Sequence, residues 1–148
     1  MWILLFLYLH GILPIFKEKY LFFPSILLLR ILVFSAEDLA KGFRIPNDNR
    51  NLGIHEVAHA LMFETRKKAS WEARRFKVGL VQIKKIVESR EFQDTLSGSD
   101  YFRDYGMTNF YEFFAVMVEN FVESPKQFKS EFTELYNTVK RMFNMELI

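Results

Sequence analysis

The sequence predicts an α+β fold, mostly helical, with a small sheet near the N-terminus. Two patterns predict it: aromatic and branched apolar runs open the chain, and apolar residues at helical spacing fill its second half. The length of 148 residues fits one domain, residues 1–148, with enough chain to bury a core without staples. Half of the residues are hydrophobic and 17 are Phe, which excludes an intrinsically disordered chain. Lys and Arg number 20 against 18 Asp and Glu; the net charge of +2 argues against a strongly basic nucleic-acid binder and against an acidic tail. Cysteine is absent, so disulfides, thiolate zinc sites, iron–sulfur clusters and a Cys nucleophile are excluded. Such a chain suits a reducing compartment, and a cytoplasmic location is expected.

Residues 1–16, MWILLFLYLHGILPIF, are almost unbroken apolar sequence. The run is shorter than the roughly 20 residues a membrane-spanning helix needs. No Lys or Arg precedes it and no small-residue cleavage site follows, so a signal peptide is not indicated. The expectation is a core element, with residues 1–13 as a buried helix; membrane association through residues 1–16 is the alternative. Residues 20–34 hold a second apolar run, rich in aromatic and branched side chains, which reads as strands at 20–23 and 26–34. A short helix at 35–41 follows, with Ser35 as N-cap and Gly42 as its end. Residues 45–49 form a turn, and the next helix spans about 51–67, with Asp48, Asn49 or Asn51 as its cap.

Residues 70–92 read as one helical stretch, because Phe76, Leu80, Ile83 and Val87 share a face. Its other face carries Arg74, Lys77, Lys84 and Lys85, and residues 66–90 hold nine Lys and Arg against Glu72 and Glu88. That pattern is either a surface for an anionic partner or, the reading favoured here, the solvated side of an amphipathic helix. No aromatic interleaving of the nucleic-acid kind occurs there, and no nucleic-acid partner is expected. Residues 96–105 read as a loop and 110–123 as a helix. Ser124 and Pro125 end that helix and begin the last one, with Ser as N-cap and Pro at the first helical position. Phe128, Phe132, Leu135, Val139 and Met142 recur along it at helical spacing.

The informative string is His55-Glu56-Val57-Ala58-His59. On a helix, residues i and i+4 project from one face, so the two imidazoles converge where a metal ion can sit. Neutral imidazole suits zinc. Glu56 lies about 100° around the helix from His55, placed to reach a water and not the ion. In metalloproteases zinc lowers the pKa of a water toward ~7 and the Glu takes its proton. The bland alternative, a solvent-facing polar pair, fits poorly because Leu52 and Met62 share that side of the helix. A zinc site needs a third protein ligand, and His10, the remaining histidine, lies in the apolar opening run. The best carboxylate is Glu112, an isolated acid at the start of a strongly apolar helix. An equally good reading of Glu112 is a capping box with Asn109. Glu119, seven residues on, is nearly on the same face, where it either orients a ligating His or faces solvent.

Together these residues bring a family into view. HEVAHAL, followed about fifty residues later by DYGMTNFYEFFAVMVENFVESP, resembles the Mlc titration factor A-like zinc metallopeptidases. The closing FKSEFTELYNTVKRMFN, and YLFFPSILL and VFSAEDLAKGFRIPNDNRNLGIHE upstream, are similar to that family's corresponding segments. The resemblance runs from about Leu7 to the C-terminus and implies a zincin-like fold with Zn2+ as cofactor. It implies that Glu112 is the third zinc ligand beside His55 and His59, with Glu56 as general base. Tyr105, otherwise only a loop aromatic, falls on the family's motif tyrosine, thought to stabilise the oxyanion. One departure is Phe110 where the family has Pro. The family also has further sequence upstream, so the resemblance implies a chain lacking an N-terminal portion of the family fold. The expected activity is hydrolysis of peptide bonds in a peptide or protein substrate. The alternative is a non-catalytic protein that sequesters a transcriptional regulator, an idea that comes from the family's name.

Overall fold

The computed structural model describes residues 3–7 and 31–148. Strands β1 (Ile3–Leu7) and β2 (Ile31–Ser35) pair in parallel, from Ile3 opposite Ile31 to Leu7 opposite Ser35. The buried helix expected at 1–13 is therefore corrected at residues 3–7. A short apolar run has no periodicity that separates helix from strand, and here pairing with a partner run decides. Residues 8–13 of that expected helix, the strand expected at 20–23, and residues 26–30 lie outside the described residues.

Seven α-helices follow among the described residues: α1 (Ala36–Arg44), α2 (Leu52–Arg66), α3 (Trp71–Val87), α4 (Arg90–Ser97), α5 (Phe110–Glu123), α6 (Pro125–Glu131) and α7 (Thr133–Phe143). A 3-10 turn, Asp104–Thr108, precedes α5. Three boundaries differ from expectation. Gly42 does not end α1, which runs on to Arg44; a Cβ at Gly42 would meet Asn51, so the glycine marks a close approach and not a stop. The stretch 70–92 is two helices, because Ser89 caps α4 by accepting a hydrogen bond from the Phe92 N–H. The last helix breaks at Phe132, whose backbone leaves the helical region at φ −132°, ψ 59°. Ser124 stands before Pro125 as expected but makes no capping bond; its hydroxyl instead meets Asn49 and Tyr101.

The core is built around α5. Every residue from Phe113 to Phe121 is buried, so this helix is enclosed nearly all round. Helix α2 and the 3-10 turn pack against it, while α7 packs on α3 and α6. Tyr101, Phe102, Phe128 and Phe132 stack into an aromatic cluster beneath it. Each fully buried Phe contributes about 1.5–3 kcal/mol. Ala58 and Met62 of α2 are buried in the same core, which holds that helix against α5. Arg74, Lys84 and Lys85 of α3 are exposed, while Arg75 donates to the Met142 carbonyl of α7; Lys68 and Lys84 pair with Glu64 and Glu88. Among the described residues, no helix is long and apolar enough to cross a membrane.

Candidate metal centre

Helix α2 carries the two histidines, and its start is set by Asn51. The Asn51 side chain accepts a hydrogen bond from the Ile54 N–H at 3.1 Å and donates to the Gly42 carbonyl at 3.2 Å. This is an Asn N-cap satisfying one of the orphan donors of the first turn. From that start, His55 and His59 project on the face toward α5, with Nε2 atoms 3.2 Å apart.

Helix α5 supplies the acid. Asn109 caps it, accepting from the N–H groups of Tyr111 and Glu112. Only the Asn109 half of the expected capping box is seen, since the Glu112 carboxylate turns to the histidines and not back to the Asn109 N–H. The Glu112 backbone N–H takes the cap, and its carboxylate reaches across to α2. Glu112 Oε2 stands 3.0 Å from His55 Nε2 and 3.5 Å from His59 Nε2. One ligand atom from each of the three lies within 4.8 Å of the others. Donors of a tetrahedral ion at about 2.1 Å stand roughly 3.4 Å apart, so this spacing fits a small divalent cation. Two imidazole nitrogens and a carboxylate oxygen are a donor set that takes zinc and similar ions.

Behind these three side chains, His55 Nδ1 is 2.6 Å from Glu119 Oε1. With Nδ1 donating there, the Nε2 lone pair faces Glu112 and His59. The Glu119 carboxylate is fully buried and also receives Arg103 Nη2 at 2.5 Å and the Asn51 backbone N–H at 2.7 Å. Burial alone would lower the pKa of His55. The hydrogen bond and charge of Glu119, with the charges of Glu56 and Glu112, outweigh it and raise the pKa above 6.5. His59 goes the other way: burial and then the charge of His55 lower it, against the pull of Glu112.

The structure thus brings His55, His59, Glu112 and Glu119 together, and Glu56 sits part-buried on the same helix. Tyr105 lies on the 3-10 turn, but its side chain is outside the described residues, as is His10. Two contributors escaped the sequence. Arg103 sits in a stretch that reads only as loop, with no spacing that ties it to Glu119. Asn51 was one of three cap candidates, and nothing local marks its N–H as a partner for a carboxylate 68 residues away. The buried position of Glu119 was the available signal, since such an acid must be paired.

No curated protein and no solved structure matches the chain significantly. A family model described as glucose-regulated metallo-peptidase M90 matches residues 29–144, which span the capping asparagines, both histidines and both acids. The chain belongs to the M90 family of glucose-regulated metallopeptidases.

Proposed function

We propose that His55, His59 and Glu112 hold a zinc ion and that Glu56 is the general base of peptide-bond hydrolysis, on a zincin-like domain. The observation that carries this reading is the convergence of three ligand atoms from α2 and α5 within 4.8 Å. A zinc ion held there would polarise the scissile carbonyl and acidify a water. Glu56, one residue along the helix from His55, takes the proton from the attacking water and returns it to the leaving amine. Tyr105, which falls on the family's motif tyrosine, is the proposed phenol donor to the oxygen that becomes negative. The substrate is a peptide or protein. No observation favours the alternative of a non-catalytic protein that sequesters a transcriptional regulator.

The experiment is hydrolysis of a fluorescently labelled, unstructured protein by the zinc-loaded wild type and by Glu56→Gln. Glu56 does not ligate, so the variant keeps its zinc while kcat/KM falls by about 100-fold or more. Equal hydrolysis by the two proteins contradicts the assignment.

A further inference from the structure

We infer that Arg103 is a positioning residue for this metal centre, holding His55 through Glu119 and holding the turn that carries Tyr105 through the backbone. The inference rests on the reading of His55, His59 and Glu112 as metal ligands. Its basis is that a single carboxylate oxygen, Glu119 Oε1, lies 2.6 Å from His55 Nδ1 and 2.5 Å from Arg103 Nη2. Glu119 is fully buried, and a buried carboxylate without a cationic partner is strongly destabilised. Arg103 supplies that cation while leaving the same oxygen open to the imidazole N–H. The guanidinium also sits 3.4 Å from His55 Nδ1, so it borders the ring directly. A planar guanidinium holds its direction once one amine is engaged, which an ammonium does not.

The second half of the inference concerns the turn. Arg103 is the residue that opens Asp104–Thr108, and its carbonyl accepts the Gly106 N–H at 2.9 Å. Gly106 lies against α5 so closely that a Cβ there would come within 3.2 Å of the Val116 side chain. The turn is therefore fastened to α5 at two points, Arg103 at Glu119 and Gly106 at Val116, one helical turn apart. Residue 105 is held between them. Releasing the first fastening loosens the side of the turn that precedes residue 105.

The test uses the full chain with zinc as the probe, measured by competition with a chromophoric chelator. Arg103→Met is expected to lose about 10- to 100-fold in zinc affinity, the range seen when groups that orient a ligating His are removed. Arg103→Lys should restore part of it. With zinc saturating, kcat of Arg103→Met should stay about tenfold down with KM little moved, because the turn is still displaced. The double variant Arg103→Met with Glu119→Gln removes both charges and separates positioning from mere charge balance. Positioning predicts that stability recovers while zinc affinity stays below that of Glu119→Gln alone, the control for loss of the carboxylate. If affinity in the double variant returns to that control along with stability, Arg103 only neutralises a buried acid and the inference is overturned. It is overturned equally if folded Arg103→Met binds zinc within twofold of wild type. Should Arg103→Met fail to fold, Arg103→Lys and the double variant decide by the same criterion. A wild type that takes up no zinc at all overturns the reading of the site and the inference with it; wild-type uptake with unaffected variants overturns the inference alone.

Discussion

The backbone N–H of Asn51 donates to Glu119 Oε2 at 2.7 Å, so the acid that meets His55 also holds the residue that caps the helix His55 sits on. One carboxylate thereby ties together the N-terminus of α2, the middle of α5 and, through Arg103, the turn before α5. Replacing Glu119 by Ala strands a half-buried guanidinium, a buried backbone N–H and an imidazole N–H at once. The expected cost is about 3–5 kcal/mol, the range for breaking a buried ion pair from one side. Denaturant unfolding of the metal-free variant and wild type measures it, and a loss under about 1 kcal/mol, the range of an exposed ion pair, contradicts the account.

Metal uptake should depend on pH with a defined sign. Only neutral imidazole ligates, so a proton on His55 competes with the ion. The acids around His55 raise its pKa despite burial, so competition begins above the ordinary value of 6.5. Zinc affinity is therefore expected to fall as pH drops, with the fall already under way above 6.5. A chelator competition series across that range reads it, and an affinity that stays flat until below 6.5 contradicts the assignment.

Tyr101 offers a probe away from the candidate metal site. Burial raises its phenol from 10.0 to about 12, against the pull of hydrogen bonds from Ser124 and Asn120. The folded state thus keeps a proton that the unfolded state gives up. The stability this contributes is present below pH 10 and is lost as pH rises through about 12. Ultraviolet titration of phenolate should show a late step near pH 12 that disappears in Tyr101→Phe. A variant that loses amplitude near pH 10 and keeps the late step would place the Tyr101 phenol in water instead.

Two glycines separate close packing from open surface. A Cβ at Gly79 would stand 2.5 Å from Met142 Cγ and 2.7 Å from its Cβ, so α3 and α7 touch backbone to side chain there. Gly79→Ala should cost about 1–3 kcal/mol, overriding the ~1 kcal/mol that Ala gains in a helix. At Gly98 the nearest atom would be Thr95 O at 3.7 Å, an ordinary contact. Gly98→Ala should change stability by less than about 0.5 kcal/mol. Thermal unfolding of the pair tests both.

Much of the site was legible because its chemistry sits in local patterns. His55 and His59 are one helical turn apart, and Asn109 with Glu112 forms a cap whose spacing is fixed by the backbone. Helix α5 matched its expected bounds of 110–123 because a strongly apolar helix with a cap and a Ser-Pro stop leaves little freedom. The breaks at Ser89 and Phe132 were hidden, since in both places the apolar spacing continues while the backbone turns. Residues 3–7 misled because Ile-Leu-Leu-Phe-Leu suits a buried helix and a buried strand alike. Arg103 could not be found from sequence at all. Its role depends on a carboxylate 16 residues on, at a place where only the folded turn brings the two together.

The central claim is that His55, His59 and Glu112 form one metal site, and metal content tests it most directly. Elemental analysis of purified wild type beside Glu112→Ala should give close to one zinc per chain in wild type and a marked loss in the variant. Folded wild type without zinc would contradict the site, and zinc retained in full by Glu112→Ala would return Glu112 to capping alone.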